Sequence, residues 1–391
     1  MKMHFPATRF FICLLLLLPT GLAFAQANGS ALVDCSGITP GAFTSLNSAI
    51  FASPDHTTFQ VSGTCTENIT IQNRNDLNFF GNPTATIQSP DASREVLVIS
   101  SSRSISFNSN ITLKGGIGTV MVNSANIRFL GVNVQDSGQF GLTSTDSVVH
   151  LANVSVTGSA RTGIVVSGGS FYLDGSVNVG SNGRLGISAG PAAHLSMIDG
   201  NGPNIISHNG LAGIQIFGTS QADLSGDNEI TNNNTTNTPS MFGMLVQSNT
   251  GLTMNNGAIS SNSGVGVVCD LHSHCQLSGT HIDSNTAGGL QITEHSMGIL
   301  GSSDISNNTG AGILVEQGSS LSTGGDTIAN NTGDGLILNT LSSLKFFTAD
   351  TITASVGNLT LNCNNGSIVD GDVSTYKPKK CGAQFQAVPI H

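Results

Sequence analysis

Along most of the chain, apolar and polar positions alternate with a short, recurring unit. A Gly followed by an aliphatic residue appears at Gly116-Ile117, Gly141-Leu142, Gly163-Ile164, Gly186-Ile187, Gly213-Ile214, Gly243-Met244, Gly266-Val267, Gly289-Leu290, Gly312-Ile313 and Gly335-Leu336. The separation settles at 23 residues over the last five units, and is 27 and 30 for the units ending at Gly213 and Gly243. An aliphatic column keeps the same register: Val134, Val156, Val179, Ile206, Ile259, Ile282, Ile305 and Ile328. A second column is amide: Asn182, Asn209, Asn262, Asn285, Asn308 and Asn331. After each Gly the residues alternate, as in the run from Gly312 to Glu316, which is the period-2 pattern of a strand with one buried face. Short strands separated by Gly, Asn and Ser turns are therefore expected throughout.

A fixed period of this size over ten units signals a solenoid. Stacked units place equivalent residues about 4.8 Å apart, the spacing of neighbouring strands. The aliphatic column becomes an internal stack, and the Asn column a ladder of side-chain amides. Gly and Asn also tolerate the left-handed backbone that tight turns between strands demand. A leucine-rich repeat would need its own consensus, and a propeller units of roughly 40 residues. The expected fold is all-β: a single-domain parallel β-helix with coils of about 23 residues.

The repeats resemble those of right-handed parallel β-helix proteins of the pectin-lyase-like superfamily, over residues 33 to 345. The entry segment is similar too: residues 41–50, then 59–63, then 65–71. The resemblance implies a short amphipathic capping helix, for which Phe43, Leu46 and Ile50 have the right spacing, and a first coil opened by the strand after Glu67. A solenoid end is an exposed sheet edge, so a cap is also expected physically. This divides the chain into an amino-terminal cap (26–58), a β-helix (59–345) and a carboxyl-terminal cap and tail (346–391).

Residues 1–25 read as a secretory signal peptide, because Lys2 and Arg9 precede the apolar run 10–18 and Ala23-Phe24-Ala25 offers small residues for cleavage. That run is too short to span a bilayer, so the protein is expected outside the cytoplasm, extracellular or periplasmic, and not membrane-spanning. Six cysteines remain, and they fall into local pairs: Cys35–Cys65, Cys269–Cys275 and Cys363–Cys381. An oxidising compartment favours disulfides over a zinc set made from Cys269, His272, His274 and Cys275.

Composition narrows the function. Charged residues are only 9%, and a net charge of −10 speaks against nucleic acid as partner. Between residues 185 and 344 there is no Lys or Arg against eleven acidic residues, so that half offers neither a cationic base nor a clamp for an anionic polymer. The catalytic segments that the superfamily's lyases, polygalacturonases and methylesterases need are absent, and there is no Trp. The seven cations from Arg74 to Arg184 could line a stripe for an acidic glycan.

Register arithmetic singles out His281, Asp283 and Asp304 as candidate catalytic residues. His281 and Asp304 are 23 residues apart and should stack on adjacent coils, with Asp283 two residues along the same strand. An imidazole beside a carboxylate can do general acid/base work. His272 and His295 stack by the same count, and Asp270 and Glu316 share a column two rungs apart. No cofactor is implied, with calcium left open. Two readings follow: a monomeric secreted β-helix presenting a long face to a polysaccharide or cell-surface glycan, or serving a structural role; and a polysaccharide-active lyase or hydrolase with a carboxylate/His site.

Overall fold

A computed structural model describes residues 29–238, 241–354 and 357–381, so the expected signal peptide lies outside the described residues. The chain winds through about 13 coils of a right-handed parallel β-helix. Each complete coil visits three parallel sheets in turn. The first runs from Ile69–Gln72 and Leu97–Ser100 to Leu361–Cys363, and the second takes in Arg103–Asn108, Asn126–Leu130 and so on to Ile368–Asp370. The third runs from Ile111–Lys114 and Val132–Gln135 to Thr351–Ile352. Parallel pairing extends from Ser30 to Lys380.

Alternation along each strand sends every second side chain inward, and identical positions stack coil on coil. The third sheet buries Val134, Val156, Val179, Ile206, Ile230, Ile259, Ile282, Ile305 and Ile328 as one column. On the second sheet Phe59, Phe79, Phe107 and Phe129 stack face to face with ring centroids 4.8, 4.5 and 5.5 Å apart, and Leu151 and Leu173 continue the column.

The corner between the third and first sheets carries the Asn ladder. Asn285 shows the pattern: its Oδ1 accepts from the Asn262 backbone N–H and side-chain amide, while its own Nδ2 donates to Ile259 O and Asn308 Oδ1. Asn233 completes the ladder between Asn209 and Asn262. Sequence spacing misses it because the residues after Asn233 lengthen that unit on the side between the ladder and Gly243. The left-handed backbone expected of the column residues belongs instead to the residue just before each, such as His208, Ser261, Ser284 and Asn307. The repeated Gly serves a different need, close approach: a Cβ on Gly266 would sit 2.6 Å from Ile282 Cγ2 and 2.7 Å from Gly289 O.

The capping helix spans Leu46–Ala52 with Ser45 as N-cap, burying Leu46, Ala49 and Ile50. Phe43 lies before the helix, where its backbone bonds to Leu32 and Asp34. Glu67 holds the helix start: its carboxylate accepts from the Leu46 N–H at 2.6 Å, the Asn47 N–H at 3.2 Å and Ser45 Oγ at 2.8 Å. A carboxylate at a helix N-terminus satisfies donors that the helix itself leaves free. All three cysteine pairs form disulfides. Cys269 and Cys275 face each other across the corner between the first and second sheets, so the zinc set considered from sequence does not arise.

Candidate functional site

The second sheet presents the richest chemistry, on its outer face. Strand Phe140–Ala152 alternates inward Val149 and Leu151 with outward His150, and strand Ile164–Leu173 alternates inward Phe171 and Leu173 with outward Tyr172. Register pairs Arg128 with His150 and His150 with Tyr172, so three outward side chains line up on successive coils. The His150 and Tyr172 rings stack with centroids 4.4 Å apart and planes 9° from parallel. His194, outward on the next coil, meets Tyr172 edge-on at 6.0 Å.

Each imidazole carries a carboxylate partner. His150 Nδ1 lies 2.8 Å from Asp174 Oδ2, and His194 Nε2 lies 3.0 Å from Asp223 Oδ2. These contacts fix ring orientation, and all four side chains stay partly open to solvent. A stack of rings flanked by imidazole nitrogens and carboxylates offers polar contacts to the hydroxyl rim of a sugar.

Beside this platform runs a groove of about 490 Å³, lined by Ser102, Arg103, Ser104, Ser124, Asn126 and Asp146 among others. Asn126 lies two residues before Arg128 on the same strand, so the groove adjoins the platform. Arg103 and Arg128 are exposed and make no ion pair among the described residues. The other first-half cations are placed differently. Arg74 is tied into the cap by Asp55, whose carboxyl it holds down to about 2, and Lys114 pairs with Asp136 on the third sheet.

Of the residues expected from sequence, His281 and Asp304 do stand side by side on the third sheet, in register and with Nδ1 to Oδ2 at 3.8 Å. That is an ion-pair distance rather than a hydrogen bond. His281 is exposed, while Asp304 is partly buried and its Oδ1 is enclosed without a hydrogen-bond partner among the described residues. Asp283 is on the same strand as His281 and accepts from Ser284 Oγ. His272 and His295 stack at 5.4 Å on the corner between the first and second sheets. There, burial raises the Asp270 carboxyl above the usual range, and the nearby Glu294 adds to the effect.

The platform was not singled out from sequence. His150–Asp174 and His194–Asp223 are diagonal contacts, 24 and 29 residues apart, and a search for equal coil positions passes over them. The readable signal was the alternation that turns His150 and Tyr172 outward on strands of matching pattern.

A family model described as the right handed beta helix region matches residues 175–332. The chain is a right-handed parallel β-helix. Among solved structures, the β-helix is similar to the A-module of the mannuronan C-5 epimerase AlgE4 of Azotobacter vinelandii, with 13% identity, a TM-score of 0.52, and coverage of 86% of this chain and 93% of that one. The A-module of AlgE6 from the same organism gives 12% identity and a TM-score of 0.44, covering 83% and 93%. An alginate lyase from Paenibacillus sp. str. FPU-7 gives 13% and 0.37, covering 79% and 97%. At 13% identity the likeness to the AlgE4 A-module is one of fold alone. No curated protein matches.

Proposed function

We propose that this β-helix is an exported protein that binds a polysaccharide on the outer face of its second sheet, around His150, Tyr172 and His194. The observation that carries the reading is Tyr172 lying flat against His150 and edge-on to His194, with each imidazole oriented by its own carboxylate. The open groove past Arg103 and Asp146 extends the same face for a chain longer than one sugar. Three disulfides fit an oxidising compartment, and no helix among the described residues is long and apolar enough to cross a membrane. The protein whose fold this one shares most fully in the comparisons above is named for mannuronan, a polysaccharide, which supports a glycan as the partner class.

The second reading, a polysaccharide-active enzyme, draws on one observation: the phenol of Tyr172 shares its face with two carboxylate-backed imidazoles, groups able to move protons. His281 with Asp283 and Asp304 is the alternative carboxylate/His set for that reading. One panel separates the two readings. Purified protein is offered neutral and anionic polysaccharides, with and without calcium, while gel retardation, reducing ends and unsaturated products are recorded. Retardation without turnover, lost in Tyr172→Ala, supports the binding reading. Turnover makes the protein an enzyme, and the variants His150→Ala and His281→Ala then show which face carries it. Neither retardation nor turnover by folded protein overturns both.

A further inference from the structure

The corner between the second and third sheets holds a second side-chain ladder, and its composition changes toward the carboxyl terminus. Early rungs are neutral: Asn204 Oδ1 accepts from Val177 N, Asn228 Oδ1 accepts from Asn204 Nδ2, and Ser303 Oγ accepts from Thr280 N. The last two rungs are carboxyls. Asp326 Oδ1 accepts from Ser303 N at 2.7 Å, and Asp350 Oδ1 accepts from Asp326 N at 2.9 Å. Asp326 Oδ2 takes the Gly324 N–H, whereas Asp350 Oδ2 is buried with no hydrogen-bond partner among the described residues. Asp326 is 1% exposed and Asp350 8%.

We propose that Asp326, buried one coil from Asp350, holds the carboxyl-terminal coils closed while it carries a proton in mildly acidic surroundings and loosens them once it is ionised. Two buried anions on successive coils repel, and among the described residues no cation pairs with either. The titratable groups nearby are Tyr376, whose hydroxyl donates to Asp350 O; Asp372 beyond it; Asp304, next to Ser303 on the preceding coil; and Lys345, which sits over the Phe347 ring. A proton on Asp326 removes the repulsion between the two carboxyls. Burial pushes the Asp326 carboxyl up to about 6, the neighbouring Asp350 adds to the rise, and the Ser303 and Gly324 N–H groups oppose it. The fold thus binds this proton more tightly than the unfolded chain, whose reference value is 3.8. The stabilising contribution is full below that reference value, falls as pH rises toward about 6, and is gone above it.

The test is hydrogen exchange of backbone amides on the purified, disulfide-intact protein at about pH 5 and about pH 7.5, corrected for intrinsic rates. Protection in residues 326–380 should fall roughly 10-fold or more at the higher pH relative to the coils around Asn209 to Asn285, as a shift beyond one pKa unit requires. Asp326→Asn removes the titrating group, so the difference between the two pH values should vanish. Asp350→Asn keeps the Oδ1 acceptor and removes the neighbouring charge, so the difference should shrink but persist. Equal relative protection at both pH values in the unmutated protein overturns the proposal, as does a pH effect that survives in Asp326→Asn. Protection restored at the higher pH by added calcium, and lost in the variants, makes the two carboxyls a cation site and overturns the proposal.

Discussion

Tyr172 lies flat against His150, its immediate neighbour in the parallel ladder, with planes 9° from parallel. Strand spacing of about 4.8 Å presets that stack, because outward side chains in register stand one rung apart. Replacing Tyr172 by Ala should weaken glycan binding roughly tenfold, the loss of an aromatic contact of about 1.5 kcal/mol. Tyr172→Phe, which keeps the ring, should lose much less. Affinity electrophoresis in polysaccharide gels reads both, and equal affinity of wild type and Tyr172→Ala would remove the platform from the binding site.

Asn285 is fully buried and bonds to the coils on both sides. Asn285→Ala leaves the buried Asn262 N–H without its acceptor and takes the Asn285 amide from the Ile259 carbonyl and Asn308 Oδ1, at a cost on the order of 3 kcal/mol. Asn285→Asp should be no milder, since an oxygen replacing Nδ2 would face Ile259 O and Asn308 Oδ1. Denaturant midpoints for the two variants check the ladder's directionality.

Two glycines separate close approach from mere presence in a strand. A Cβ at Gly289 would crowd Ile305 Cγ2 and the Gly312 carbonyl, whereas at Gly251 it would meet nothing within 4 Å. Gly289→Ala should destabilise by about 1–3 kcal/mol, while Gly251→Ala should be neutral or stabilise by a few tenths to about 1 kcal/mol. Thermal melts of the pair would expose any error in the assignment, because the two substitutions are chemically identical.

The Cys269–Cys275 disulfide closes a short loop between inward positions, in register with Val246 and Leu252 on the preceding coil and with Ile292 and Gly298 on the following one. The double replacement Cys269→Val, Cys275→Leu should therefore fold without a cavity and lose about 2 kcal/mol from the loop constraint. Limited proteolysis at this corner would show whether the coil stays closed.

Glu67 anchors the capping helix through three donors at its start. Glu67→Ala should release the helix, with a loss of about 2 kcal/mol and earlier exchange of amides in residues 46–52 than in the coils behind them.

The sequence by itself determined the solenoid, because parallel stacking copies one local pattern coil after coil. A period, an aliphatic column and an amide column suffice when every residue's chief neighbours are its own equivalents. The disulfide partners were legible for the same reason, since each pair is local along the chain. His281 and Asp304 could be placed side by side by counting. Tertiary structure decided what counting could not. Asn233 joins the ladder only once the longer segment after it is allowed for, and the diagonal pairs His150–Asp174 and His194–Asp223 depend on how corners of unequal length set one coil on the next. Register along the ladder is written locally in alternation and turns. Contacts across it depend on corner lengths and side-chain direction, which exist only when the coils are stacked.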